Sequence, residues 1–449
     1  MISVVIVITS ILVLALSLLL FKRAAGEVSI GKLNMLSYSF YVLLVHAWFG
    51  AVIVTVNRPF LVYDPADFRS VVDAAAVRYE MWGWLMWLFI GLPLGAIIMG
   101  WILRTGPMTP LFGRYRRMPA GFEIGERSLF VAFCVVGGAF LAITANRLAA
   151  KQALPILNAF QTQDVEQTLI LRRDFRLSSG LVSEVIDTIF SPNLIAWMSY
   201  ASYAAATVTK LKRWWIMFAV AFGSSLLLFV VNTTIAPTFT YLAGFLLVRV
   251  MLGLKVIRLS EIAAAVSLLA IMEFFFKNAE GSIMLVLQKT IIGRIMTGQL
   301  MGFYYAKHVF PNVEDFIGFE STGNVIHAVL GLPTSPSYGI VMMRQYNALA
   351  VEAGTGGHMT TIFMGEAWAN FGYLGLIVAP LWVGGFVQAI NSWFLVRRKG
   401  VMCIALYAFL ATTFGYHTDF IGFYYPLGTF LMLLGVGVVL LFARIIQGK

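Results

Sequence analysis

Little in this 449-residue chain is charged: Asp, Glu, Lys and Arg make up 12%, while apolar types reach 60%. Soluble domains are about 25% charged and about 45–50% apolar, so a soluble globular protein is excluded. Cysteine is equally scarce. Cys134 and Cys403 both fall inside apolar stretches and offer neither a disulfide nor a metal pair. Five histidines are present, and no C-x-x-C, H-E-x-x-H or P-loop pattern occurs. Metal and nucleotide chemistry therefore have no sequence support, and no cofactor is expected. No internal repeat is visible, and the spacing of the apolar stretches differs between the two halves. That argues against the inverted-repeat transporters.

What the chain has in abundance is long apolar runs. A membrane-spanning helix takes roughly 17–25 such residues, and about eleven stretches meet or approach that length. They are 2–21, 34–56, 81–103, 128–146, 190–209, 214–232, 238–254, 259–276, 372–396, 401–418 and 423–443. The expected fold is an all-α integral membrane protein, with residues 1–449 forming a single polytopic domain. No basic residues precede the first stretch, and it is too long for the apolar core of a signal peptide, so it reads as an uncleaved span.

Short cytoplasmic loops collect Lys and Arg, which sets the expected orientation. With the N-terminus outside and the C-terminus in the cytoplasm, the inner loops hold Lys22, Arg23 and Lys32, then Arg104, Arg114, Arg116, Arg117 and Arg127. They continue with Lys210, Lys212 and Arg213, Lys255 and Arg258, Arg397, Arg398 and Lys399, and finally Arg444 and Lys449. Glu27, Glu123 and Glu126 are the acids among them. The net charge of +11 is thus a topology signal and not a nucleic-acid footprint. The long segments 57–80, 147–189 and 277–371 fall outside, and long loops are commonly functional ones.

Two of these segments carry clustered cations. Arg172, Arg173 and Arg176 crowd around Asp174. Planar guanidinium forks suit phosphate, although Asp164, Glu166, Glu184 and Asp187 also fit a charge-balanced surface helix. Residues 288–298 read QKTIIGRIMTG. At 100° per residue, Ile291, Ile292, Ile295 and Met296 share one arc, and Lys289, Thr290, Gly293, Arg294 and Thr297 the other. Such an interfacial helix offers its cations to a lipid-linked phosphate, or simply snorkels them into water.

Further along come GRIMTGQLMGFYYAKHVFP, EDFIGFE, YGIVMMRQYN and GTGGHMTTIFMGEAWANFGYLG. Over about residues 285–380 the chain resembles the bacterial oligosaccharide repeat-unit polymerases of the Wzy or O-antigen polymerase type. The likeness lies in the many spans, the large late outer loop, the arginine-bearing helix before YY…FP, and the run Gly365–Gly372 opening the next span. It implies a GT-C-like architecture and an inverting, metal-independent glycosyltransferase of the inner membrane. The growing glycan on undecaprenyl diphosphate would move onto an incoming lipid-linked repeat unit. Membrane lipid and a chain-length regulator protein are the further partners implied. An O-antigen-ligase-like transferase, or a polysaccharide transporter or flippase, are the alternatives.

Without a metal, the charge that develops on a departing diphosphate needs fixed cations. Arg294 is the first candidate, with Lys289, Arg172, Arg173, Arg176 and Arg344 beside it. The acceptor hydroxyl needs a base, for which Glu320, His358 and Glu366 are candidates, along with His327. Glu366 alternatively pairs with a loop arginine to fix the loop over the bundle. Tyr304, Tyr305, His308 and Tyr346 are candidates for binding glycan, and the aromatics serve equally well as an interfacial belt.

Overall fold

The computed structural model describes residues 2–56, 75–150, 154–161, 167–168, 170–171, 192–231, 235–254, 293, 295–321, 336–352, 359, 361–416 and 419–448. In chain order the helices are α1 (Ile2–Ala25), α2 (Met35–Leu43), α3 (Phe49–Thr55), α4 (Ala75–Ile102), α5 (Met108–Arg117) and α6 (Glu126–Ala150). They continue with α7 (Pro155–Gln161), α8 (Pro192–Thr209), α9 (Lys212–Val231), α10 (Ile235–Met251), α11 (Gly298–Val309) and α12 (Tyr338–Tyr346). The last are α13 (Ala348–Glu352), α14 (Phe363–Leu395), α15 (Val401–Thr413) and α16 (Leu427–Gln447). Among the described residues the chain is all-helical apart from one isolated bridge between Gly121 and Gly400.

Seven helices among the described residues are long and apolar enough to cross a membrane: Ile2–Lys32, Met35–Thr55, Ala75–Ile102, Glu126–Asn146, Lys212–Val231, Phe363–Leu395 and Gly428–Gln447. This is a multi-pass all-α membrane protein. Of the other expected spans, Pro237–Met251 and Val401–Thr413 form shorter apolar helices. Of the stretch 190–209, Pro192–Thr209 forms α8, in which small and polar residues dilute the apolar ones. The stretch 259–276 lies outside the described residues.

The chain divides into two compact units. Unit 1 comprises Met1–Pro110, Gly281–Trp393 and Phe414–Pro426. Gly26 ends α1 at φ +78°, and a Cβ there would sit 2.5 Å from the backbone nitrogen of Thr109. Asn34 then starts α2 by a reciprocal capping box: its side chain accepts from the Ser37 amide at 3.0 Å, and the Ser37 hydroxyl accepts from the Asn34 amide at 2.7 Å. The helices of this unit are registered by polar atoms spaced along them. Ser17 Oγ donates to the Phe89 carbonyl at 2.8 Å, and Trp82 Nε1 donates to Ser10 Oγ at 2.9 Å. Lower residue numbers on α1 thus meet lower ones on α4, and the two run parallel. So do α4 and α14, since Trp87 Nε1 donates to the Ile377 carbonyl at 3.2 Å. Farther along this pair, a Cβ on Gly95 would lie 1.9 Å from the Leu381 carbonyl, and one on Gly384 1.9 Å from that of Leu92. Small residues let the backbones touch, the usual way of packing helices in lipid.

One consequence positions the site. Because α1, α4 and α14 are parallel, they all begin at the same end of unit 1. The opposite end carries Lys22, Arg23, Lys32 and Arg104.

Unit 2 comprises Leu111–Glu280, Phe394–Thr413 and Leu427–Lys449. Its α8 packs against α9, α10 and α15, while α6 packs against α16. Tyr200 on α8 donates to the Tyr241 carbonyl at 2.6 Å, and Ser199 shares a 2.8 Å hydrogen bond with the Tyr241 hydroxyl. At one end of this unit the basic loops meet. Lys399 Nζ donates to the carbonyls of Arg116 and Met118, both at 2.9 Å. Glu123 accepts from the Cys403 amide at 2.9 Å, and Glu126 takes Arg213 and the Trp214 indole. The Gln447 side chain accepts from the Gly125 amide at 3.2 Å. Burial, with the nearby Arg116 charge, lowers Lys399 to about 8.

Candidate functional site

The run Gly365-Glu366-Ala367-Trp368-Ala369-Asn370-Phe371-Gly372 opens α14 within unit 1, and nearly every residue in it fastens another segment. Glu366 is buried, and its Oε2 accepts the amides of Phe420 and of Ile421, the latter at 2.8 Å. This carboxylate therefore sets the 3-10 turn Ile421–Phe423. Trp368 Nε1 donates to the Phe310 carbonyl at 3.0 Å. The Ala369 carbonyl accepts from the Ile317 amide at 3.0 Å. The Asn370 side-chain amide donates to the Tyr424 hydroxyl at 3.3 Å, and Phe371 packs against Phe319 with ring centroids 5.0 Å apart. Gly372 closes the run at φ +58°, ψ −137°, a break inside α14. A Cβ there would lie 2.9 Å from the Phe316 ring. The stretch 363–371 is therefore a separate short helix, set off by the break at Gly372 from the rest of the candidate span Phe363–Leu395.

Above this floor, α11 contributes Lys307. Its ammonium lies 2.9 Å from Glu80 Oε1 and 3.0 Å from the Tyr373 hydroxyl. It also sits 3.8 Å from the centroid of the Trp368 ring and 4.5 Å from that of Tyr373. The Tyr373 hydroxyl in turn donates to Glu80 Oε1 at 3.0 Å. A cation boxed by aromatic faces and a carboxylate is fixed in direction as well as in charge. Sequence reasoning missed Glu80, Trp368 and Tyr373 as partners. The only trace was an acid at the mouth of a span and two aromatics flanking Gly372.

The sequence-predicted residues fall into three groups. Glu366 holds a loop, as one of its two readings has it, but the partners are backbone amides instead of an arginine. Tyr305, Tyr346 and His308 come together: Tyr305 and Tyr346 stack at 3.7 Å between centroids and 24° between planes, and the His308 ring lies 6.5 Å from Tyr346. Tyr304 is fully buried beside Thr55 and Arg78, and its burial raises the phenol well above its ordinary range. In this structure its side chain is 0% exposed. Tyr305 is likewise buried, so among this trio the accessible edge belongs to Tyr346 and the exposed His308.

Arg344 is exposed at the end of α12, one residue from Gln345, whose side chain donates to Glu314 at 3.4 Å. Glu320 is exposed in the 3-10 turn Gly318–Ser321. Lys289, Arg294, Arg172, Arg173, Arg176, His327 and His358 lie outside the described residues, as does most of the amphipathic stretch 288–298. The neighbours of Arg294 are described: Gly293 and residues 295–297 form a π-helical turn that leads into α11. The Thr297 hydroxyl donates to the Gly293 carbonyl at 2.5 Å in that turn.

A second polar group lies under α12. Tyr338 is buried there, and its phenol is pushed far above the ordinary value by burial and then by the carboxylates of Asp419 and Glu366. Among the described residues, no three His, Cys, Asp or Glu side chains come close enough together to hold a metal. No protein-family model, curated protein or solved structure matches this chain.

Proposed function

We propose that this protein is a glycosyltransferase that polymerises oligosaccharide repeat units carried on undecaprenyl diphosphate. It works at the outer face of the cytoplasmic membrane, with its N-terminus outside and its C-terminus inside. Its architecture is GT-C-like, with about eleven spans by the length criterion. The observation that carries the reading is the clasp of residues 365–372. It gathers segments from 305–321 and 419–426 onto the end of unit 1 where α1, α4 and α14 begin. A polar, cation-bearing surface at the mouth of apolar helices is where a lipid-borne diphosphate and its glycan meet.

The reaction asks three things of such a surface. The bond between the donor's anomeric carbon and the diphosphate oxygen breaks, and its electron pair leaves with the diphosphate. An acceptor hydroxyl attacks from the opposite face, so the new glycosidic bond is inverted, and the hydroxyl proton passes to a base. Fixed cations lower the barrier by meeting the charge as it develops. Arg294 takes that role, with Lys289, Arg172, Arg173, Arg176 and Arg344 as further diphosphate ligands. Glu366, His358 and Glu320 compete for the base. The Tyr346 edge and His308 offer a rim for sugar rings.

The test uses purified full-length protein in nanodiscs with lipid-linked repeat units and added chelator. Polymer from the wild type, and none from a normally inserted Arg294→Ala variant, supports the reading. Transfer of glycan only to a lipid A core acceptor would make it a ligase. Full-length polymer from Arg294→Ala removes the diphosphate role of that residue.

A further inference from the structure

The box around Lys307 is more elaborate than a strut requires. Its lysine is held from three directions, and the carboxylate is more exposed than the ammonium it pairs with. Lys307 is 15% exposed and Glu80 34%. The aromatic partners have anchors besides Glu80: Trp368 is buried and locked through its indole N–H to the Phe310 carbonyl, and Tyr373, whose hydroxyl donates to Glu80, also stacks edge-on to Trp368 at 4.9 Å. If Glu80 swings into water, the ammonium still points where the carboxylate was. Carboxylate and phosphate oxygens accept from an ammonium at the same distances. The helix below supplies the second half of an amphiphile's signature. Directly after Tyr373, Leu374, Ile377 and Val378 form an exposed apolar face running along α14 away from the box.

We propose that Lys307 is a phosphate-binding lysine, and that Glu80 occupies the place taken by a phosphate oxygen of a lipid diphosphate when it docks along α14. The ligand is a polyisoprenyl diphosphate, with its head at Lys307 and the start of its tail on Leu374, Ile377 and Val378. Glu80 keeps about a third of its side chain open to water, so a diphosphate with more than one negative charge can reach the ammonium and displace the carboxylate. The displaced Glu80 stays within reach of the Tyr373 hydroxyl. This assignment rests on the lipid-diphosphate reading given above, but the binding it describes needs no turnover.

The experiment measures equilibrium binding of farnesyl diphosphate to the full-length protein in phosphatidylcholine nanodiscs, with farnesol and phosphatidylglycerol as comparators. Lys307→Met is expected to bind about ten-fold or more weakly, the loss of a hydrogen bond to a charged group. Glu80→Gln is expected to bind about two- to five-fold more tightly, because the competing charge is gone. A purely structural pair gives the opposite sign for Glu80→Gln, or no change, and either result overturns the proposal. Should Glu80→Gln fail to fold, Glu80→Asp takes its place, since a shorter carboxylate competes less well; no tightening there overturns it too. Phosphatidylglycerol competing as well as farnesyl diphosphate overturns the choice of ligand. The two readings separate cleanly: wild-type binding without polymer sinks the polymerase, while polymer with unaltered binding by Lys307→Met sinks this assignment alone.

Discussion

Replacing Gly372 by alanine isolates what the break in α14 contributes. At φ +58°, ψ −137° the residue sits in a region that essentially only glycine occupies, and holding another residue there costs about 1–3 kcal/mol. The new Cβ would also approach the Phe316 ring at 2.9 Å. That ring is 41% exposed and can turn aside, so the backbone cost decides. The neighbouring bond from the Ile317 amide to the Ala369 carbonyl reports on it directly. Hydrogen exchange at Ile317 in Gly372→Ala should speed up by about 5- to 150-fold, the same free energy expressed as an opening equilibrium. Adding Phe316→Ala separates the two causes. If the double variant recovers wild-type protection, the ring contact was the cause and the backbone argument is wrong. Unchanged exchange in Gly372→Ala itself would refute the break altogether.

Three other outcomes follow from the same geometry. Glu366→Ala strands two amide donors and should cost about 2–6 kcal/mol in detergent unfolding, at about 1–3 kcal/mol per buried unmet group. Glu366→Gln keeps an acceptor and should be nearly as stable as wild type; if it is stable yet makes no polymer, the carboxylate is also the base. Lys399, lowered to about 8 from an unfolded value of 10.5, gives up its proton earlier in the folded protein. The unfolded chain therefore binds more protons between those values, and unit 2 should gain stability as pH rises from about 8 to about 10.5. A melt that falls over that window, or that rises identically in Lys399→Met, counts against this. Finally, Gly95→Ala forces α4 off α14, where the new Cβ would sit 1.9 Å from the Leu381 carbonyl. Overpacking of this kind costs about 1–3 kcal/mol, and an unaltered melting temperature would contradict the contact.

The all-helical, multi-pass character of this protein was legible in its sequence because hydropathy and glycine act locally. The break at Gly372 is one such case: a glycine followed by an apolar run marks it without reference to anything distant. The clasp before it was visible only as a pattern. Glu366 drew an arginine as its expected partner because charge pairs are the only partners a sequence displays. Its actual partners are the amides of Phe420 and Ile421, and an amide has no residue identity to find. The Glu80–Lys307 pair was hidden for another reason. Its members lie on different helices with most of unit 2 threaded between them in sequence, and the acid at the mouth of a span carries no cue to its partner. Tyr304 and Tyr305 show the limit for aromatics. Adjacent tyrosines at a loop edge read as a binding rim, yet the side chains went inward, where Thr55 and Tyr346 receive them.

The clasp also imposes an order on synthesis. Residues 305–321 emerge from the ribosome well before the turn at 421 that Glu366 grips. At about 5–20 residues per second, the loop helices wait for several seconds while α14 and α15 are made and inserted. Only when the stretch Phe414–Pro426 arrives can the floor close beneath them. A chain stopped short of that stretch would own most of its spans and every candidate cation, yet have no assembled site.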